Sequence, residues 1–263
     1  PLKFTADIHE VTYTRVAGNG FEENDEVGVF ALVGSSTMKE ERYADNLRFF
    51  RTSEKVFESS EPIYYPDDEV TLRLISYYPY QEEGVNMGES TMSVAVETDQ
   101  NLSAGYFCSD FLVASQNLQS APKGAIALHY DHKFFKLKIA LVGKEGEELQ
   151  GILDADPKLS VCGFYTKAIY DFQKEIYSAF SNEKSITPAG KWEIQGDRLS
   201  GKEVILIPQE TTLGYQYIVL DVRGKIYTSP LPSSLQLQSG KQSELAISFI
   251  PTEDVLISKV EGE

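Results

Sequence analysis

Apolar and polar residues alternate with a period of two through much of this chain. Residues 2–9 show it first, with Leu2, Phe4, Ala6 and Ile8 on one face and Lys3, Thr5, Asp7 and His9 on the other. Successive side chains of an extended strand point to opposite faces, so this is the pattern of a strand with one wet face. Further strands are predicted over 26–33, 62–65, 70–78, 91–97 and 110–115. A long alternating segment follows at 125–142, where Phe135, Leu137, Ile139 and Leu141 are separated by Lys136, Lys138 and Ala140. The second half continues in kind over 159–165, 192–195, 203–207, 215–222, 225–228, 244–250 and 255–260. One stretch competes: Ile169, Phe172, Ile176 and Phe180 have a spacing that fits a helix face, although the aromatic content and missing caps weigh against it. Roughly fourteen short strands without regular crossover helices predict an all-β chain of antiparallel β-sandwiches rather than a parallel sheet. The polar connection Gln116–Gly124, with Pro122 inside it, is the boundary expected between two sandwich domains, 1–121 and 122–263.

Composition narrows the function classes. The 263 residues carry 24 Lys+Arg against 40 Asp+Glu, a net charge of −16, and the basic residues never cluster. A phosphate polyanion needs a basic footprint, so nucleic acid is excluded as a partner. With 41% hydrophobic residues the chain is too apolar for disorder. Tyr and Phe number 15 and 14 against a single Trp, a mixture that favours strands. Apolar runs such as Ile139–Val142 are too short to cross a bilayer as a helix. At Pro1 there is neither a charged n-region nor an apolar h-region, so either a mature chain or one that is not exported is expected. Cys108 and Cys162 fit no metal spacing and are expected as two buried small hydrophobes in preference to a disulfide.

Motifs for catalysis come up empty. Gly196-Asp197-Arg198-Leu199-Ser200-Gly201-Lys202 has the skeleton of a phosphate loop, but Glu203 stands where a Ser or Thr must hold Mg²⁺. The strand-like Val204–Ile207 follows in place of a helix, so a hairpin bend is expected there. His129 and Asp131 face one way on a strand while His132 faces the other, which separates the two histidines as metal ligands. Asp67-Asp68-Glu69 and Asp154-Ala155-Asp156 lack the glycine turn and distal Glu of a dedicated calcium loop. No nucleophile elbow occurs and no carboxylate pair stands out as a glycosidase dyad, so no enzyme, cofactor or metal is expected. The tyrosines at 64–65, 77–78 and 80 could stack on sugar rings, but alternate packing into a sandwich core is the preferred reading.

Taken in order, a set of segments resembles the fimbrillin-like pilins, subunits and accessory proteins of bacterial type V pili. They begin with Phe4-Thr5-Ala6-Asp7-Ile8, Thr14-Arg15, and Gly20-Phe21 leading to Asp25–Ala31. Ile63-Tyr64-Tyr65-Pro66, Tyr77-Tyr78-Pro79-Tyr80 and Asp110–Ala114 follow. His132–Ile139, Ile207-Pro208-Gln209, Leu237–Lys241 and Val255–Val260 complete the set, which runs nearly the whole length of the chain.

The resemblance implies two tandem transthyretin-like β-sandwiches and export as an outer-membrane lipoprotein, with Pro1 just past a removed signal and lipid-bearing cysteine. The membrane is then reached only through that N-terminal lipid anchor. It further implies that a trypsin-like protease cuts after an arginine, here Arg15 before Val16, and removes a first strand of about fifteen residues, 1–15, that carries Leu2, Phe4, Ala6 and Ile8. A groove spaced two residues apart would then accept a strand from another pilus subunit, in a homo- or hetero-polymer. Val255 and Ile257 on the last strand are the candidate donor side chains. The implied role is a pilus subunit or accessory adhesin with a host or bacterial surface receptor. The alternative from a different class is a surface glycan-binding lipoprotein with β-sandwich modules, with a β-sandwich hydrolase behind it.

Overall fold

The computed structural model describes residues 1–9, 20–66, 70–143, 149–250 and 255–261. The strands of the first half are β1 (Phe4–Ile8), β2 (Glu26–Val33), β3 (Ala44–Arg51), β4 (Phe57–Glu58), β5 (Leu72–Tyr78), β6 (Thr91–Ala95), β7 (Leu112–Leu118) and β8 (Ile126–His132). Those of the second are β9 (Phe135–Val142), β10 (Lys158–Asp171), β11 (Ile176–Ile186), β12 (Glu193–Gln195), β13 (Arg198–Leu206), β14 (Tyr217–Val222), β15 (Lys225–Pro230), β16 (Gln242–Ile250) and β17 (Val255–Glu261). Two short helices, α1 (Ser103–Cys108) and α2 (Leu149–Asp154), complete the described elements, and the chain is all-β.

The residues form two compact units. One comprises Pro1–Val94, Asp110–Lys133 and Ile169–Ser178; the other comprises Ala95–Ser109, Phe134–Ala168 and Ala179–Glu263. The division therefore lies elsewhere than at 121/122. The connection at 116–124 joins β7 to β8, which pair with each other inside the first unit. Its polar, proline-containing sequence marks a loop between neighbouring strands, and loops of that composition do not distinguish a hairpin from a linker.

In the first unit the strands close into a barrel in the order β1-β4-β3-β2-β5-β7-β8, where the sequence pattern predicts an antiparallel β-sandwich. Val27, Val29 and Ala31 of β2, Leu72 and Leu74 of β5, and Ile126, Leu128 and Tyr130 of β8 meet in one apolar cluster. The opposite face of the wall is covered too. Phe30 and Tyr77 stack with ring centroids 5.8 Å apart, and the Phe172 ring meets them edge-on at 6.1 and 5.9 Å. Burial on both faces removes the usual alternation, which is why β2 is apolar almost throughout. Adjacent Tyr77 and Tyr78 are both buried because they occupy opposite faces of β5. Burial pushes the Tyr77 and Tyr130 phenols well above their ordinary range. Gly28 is required where it stands, since a Cβ there would lie 2.2 Å from the Tyr77 ring.

The remaining strands form two five-stranded sheets, most of whose residues belong to the second unit. One runs β11-β10-β14-β15 with β6 beside β10; the other runs β12-β13-β9-β16-β17, and within it β9 and β16 are parallel. Tyr227 of β15 meets Phe249 of β16 edge-on at 5.0 Å, joining the two sheets. Lys136 of β9 is 1% exposed and its ammonium lies 2.8 Å from a Glu203 carboxylate oxygen on β13. The Tyr106 ring stands 5.8 Å from the same ammonium.

Several elements differ from the sequence pattern. The 125–142 segment breaks into β8 and β9 at Lys133, whose N–H donates to Phe111 O. Ile169–Phe180 is a hairpin of β10 and β11, not a helix; the turn after Asp171 resets the spacing that imitates a helical face. β3 and the two-residue β4 carry no sequence signal of their own, and 62–65 is buried at Ile63 without being a strand. Residues 196–202 form a bend at Gly196, with φ +64°, leading into β13, as their sequence predicted. Of the two cysteines, both thiols, Cys162 is buried and Cys108 is exposed, which corrects the expectation for Cys108.

An ammonium as deeply buried as that of Lys136 depends on its counter-charge. Glu203→Ala is expected to destabilise the protein by about 3 kcal/mol, and a Lys136→Met, Glu203→Leu double variant to recover most of that loss. Denaturant unfolding of the three proteins checks both expectations.

Candidate functional site: the slot of the first strand

β1 is the strand on which closure of the barrel depends. It pairs in parallel with β8, from Phe4 opposite Ile126 to Ile8 opposite Tyr130, and antiparallel with β4, where Phe4 stands opposite Phe57. The ladder is extended at its ends by Leu2 N–H to Ile63 O at 2.7 Å and by His9 N–H to Tyr130 O at 2.8 Å. Only a residue from position 126 onward can supply the β8 side, so this pairing closes a loop of more than a hundred residues.

The structure brings together the four apolar residues of the first strand. Leu2 and Phe4 are 8% and 1% exposed, and Ala6 and Ile8 are partly buried against the same cluster. The Phe4 ring lies 4.7 Å from that of Phe49, and Phe21 reaches Phe57, Tyr130 and Tyr78 at 5.2, 5.0 and 5.4 Å. Full burial of an aliphatic or phenyl side chain contributes about 1.5–3 kcal/mol, so Leu2 and Phe4 dominate the seating of β1. Phe49, Phe57 and Ile126, which wall the slot, were not singled out by sequence. Phe57 has only a two-residue strand around it, and its role exists only because β1 arrives from far away.

The outward face of β1 is electrostatic. Lys3 pairs with Glu58 at 2.5 Å, which raises the Lys3 ammonium above its ordinary value through that hydrogen bond. His129 Nδ1 lies 2.5 Å from Asp7, and His9 Nδ1 lies 2.8 Å from Asp131, while the two imidazole rings stack at 5.5 Å. All four of these groups are about half exposed, so the pairs set register more than they add stability. The third histidine, His132, faces inward and meets Asp110 at 2.8 Å, as the alternation along β8 required.

Arg15 and Val16 lie outside the described residues. Val255 begins β17, whose Ile257 is 59% exposed. β17 pairs along its length with β16, and no second strand forms a ladder with its other edge among the described residues. It is held at its far end by Arg198, which reaches Glu261 at 2.5 Å and Glu244 at 3.2 Å. Ser258 N–H donates to Ser229 Oγ at 3.1 Å, which ties β17 to β15. Ile257 is thus an apolar side chain on an edge strand, facing away from the side on which Ser258 is anchored.

The seating of β1 is open to a direct test. Phe4→Ala is expected to cost about 3–4 kcal/mol by the lost transfer energy and the cavity left among Phe49 and Phe57, whereas Thr5→Ala on the wet face is expected to stay within about 0.5 kcal/mol. Thermal unfolding of the two variants checks the contrast.

No curated protein matches this chain. Among solved structures, a candidate cell adhesion protein from Bacteroides uniformis shares 19% identity, with 99% of this chain and 96% of that one covered and a TM-score of 0.69. A second candidate cell adhesion protein, from Bacteroides ovatus, shares 15% identity over 100% and 96% of the two chains, also at a TM-score of 0.69. A fimbrial protein from Bacteroides vulgatus shares 15% identity over 99% and 98%, with a TM-score of 0.60. At these identities the likeness is one of fold. The family model described as fimbrillin-like matches residues 14–262, and with nearly the full length matched, the chain belongs to the fimbrillin-like family.

Proposed function

We propose that this protein is a structural subunit or accessory adhesin of a bacterial surface pilus, and that it joins its neighbours by donor-strand exchange after the first strand is removed. The observation that carries the reading is β1 itself, a short strand with a buried apolar face that completes a barrel across β4 and β8. Without it, the β8 edge would present unpaired backbone groups beside sites for Leu2 and Phe4. A strand from another subunit can occupy such a slot by main-chain pairing and alternate side-chain insertion. In this reading a trypsin-like protease cuts between Arg15 and Val16, the protein is exported as a lipid-anchored precursor to the outer membrane, and its partners are further pilus subunits and a surface receptor. In this reading the two compact units correspond to the two domains of such a subunit. The role is structural rather than enzymatic, in keeping with the family and with the fimbrial and adhesion names of its structural neighbours.

Limited trypsin digestion of the folded protein, read by intact mass, size-exclusion chromatography and electron microscopy, tests the cleavage. An early cut after Arg15, loss of the first strand and appearance of oligomers are the expected results. Intact protein under conditions that cut exposed lysines, or a cut chain that stays monomeric, would count against the proposal. For the donor strand, a Val255→Asp, Ile257→Asp variant is expected to fold as a monomer and to fail to join cleaved subunits. Unimpaired assembly of that variant would place the donor strand elsewhere.

A further inference from the structure

A second feature of the first unit lies on the outer wall of the barrel, away from the β1 slot. The side chain of Arg73 on β5 has no hydrogen-bond or ion-pair partner among the described residues, and its Nε is buried without an acceptor. An unsatisfied guanidinium N–H costs free energy that a structure normally recovers with a carboxylate or a carbonyl. Arg51 and Arg223 also show no side-chain partner among the described residues, but of the arginines only Arg73 has a buried Nε there without an acceptor, in a chain of net charge −16.

Arg73 opens into a cavity of about 400 Å³. Its apolar lining is made by Ile75, Val113 and Phe172, which are 3%, 8% and 8% exposed. Around this lining stand the hydroxyl side chains of Ser36 and Thr37, from the turn after β2, and the planar polar ends of Gln173 and Glu175. The Glu175 carboxylate lies 3.3 Å from the Lys133 ammonium and makes no ion pair with Arg73. The site thus combines an arginine whose Nε lacks an acceptor, an apolar lining, and several polar side chains.

The rim is held in place. Arg42 is buried, with no side-chain exposure, and directs its N–H groups to Met38 O, Asp45, Val85 O, Asn86 O and Glu89 O at 2.5–3.0 Å. That anchors the chain leading into Ser90, whose carbonyl accepts from Phe172 N–H at 2.8 Å and whose hydroxyl donates to Asp171 at 3.0 Å. Burial opposes the Asp171 charge, but the N–H groups of Gln173 and Lys174 on the same carboxylate hold it below its ordinary value. Gln173 and Glu175 are therefore presented by a turn whose backbone is already satisfied, which lowers the ordering cost of binding.

We infer that this cavity binds an acidic sugar, a uronic or related carboxylated monosaccharide unit, with Arg73 on the carboxylate, the ring face over Phe172 and Ile75, and the ring hydroxyls on Gln173, Glu175 and Thr37. The carboxylate is called for by the unpaired guanidinium. The sugar is called for by the apolar platform flanked by planar polar groups, which suits a ring with one C–H face and a rim of hydroxyls. Sugar recognition of this kind uses none of the tyrosines at 77 and 78, which the fold buries. It does not depend on strand exchange.

The test is an NMR titration of the intact, uncleaved protein with D-glucuronic acid, D-glucose and sodium acetate at fixed ionic strength. Saturable shifts with glucuronic acid at residues 36, 37 and 172–175, with glucose and acetate each binding at least about tenfold more weakly, are the expected result. Arg73→Gln is expected to weaken glucuronic acid binding about tenfold or more, the loss of one charge-assisted contact. Gln173→Ala, on the exposed turn, is expected to weaken it several-fold and decides the matter if Arg73→Gln does not fold. Equal binding of acetate would reduce the site to a bare carboxylate site and overturn the sugar assignment. Absence of saturable shifts, or binding unchanged in the folded variants, would overturn the proposal altogether. Either failure leaves the strand-exchange reading standing, because the titration is done before any cleavage.

Discussion

Closure of the first unit depends on one non-local pairing, the insertion of β1 between β4 and β8. A barrel has no edges only while every strand is present. β1 is held by a five-residue register on β8 and by the burial of Leu2 and Phe4, with the ion pairs of Lys3, Asp7 and His9 on its outer face. No disulfide links it to its neighbours, so cutting the chain behind it leaves only these contacts to retain it. The slot holds an extended backbone with apolar side chains at alternate positions.

The wall of that barrel is packed on both sides. Phe30, Tyr77 and Phe172 cover the outer face of β2 and β5, and the Arg42 guanidinium lies 5.3 Å from the Phe30 ring. Arg42 turns the carbonyls of an irregular loop into a fixed feature, because a guanidinium with all its donors satisfied can be buried without a large penalty. Arg73 sits on the same wall with the opposite outcome: a cation whose Nε lacks an acceptor. The contrast between the two arginines separates the one that builds the fold from the one that is left over to bind.

Much of the fold was legible because it is written locally. The two-residue period at Leu2–Ile8, the apolar run of β2 and the alternation of β9 each place a strand without reference to anything distant. The failures have physical causes. β4 is two residues long and exists only as a partner for β1 and β3, so no window of sequence contains its signal. The Ile169–Phe180 spacing imitates a helix because a hairpin turn falls between two strands and shifts the phase of the alternation.

By itself the sequence determined that the chain is all-β, that it is strongly acidic, and that its first strand has one apolar face. Those properties follow from residue type and spacing, which act over a few residues. Only the tertiary structure decided that this strand closes a barrel, that Tyr77 and Tyr78 are core, and that the loop at 116–124 joins partners within one unit. It also decided that Arg42 is saturated while Arg73 is not. Each of these depends on which groups meet across long sequence separations, and a guanidinium carries no mark in the sequence of whether an acceptor will be waiting for it.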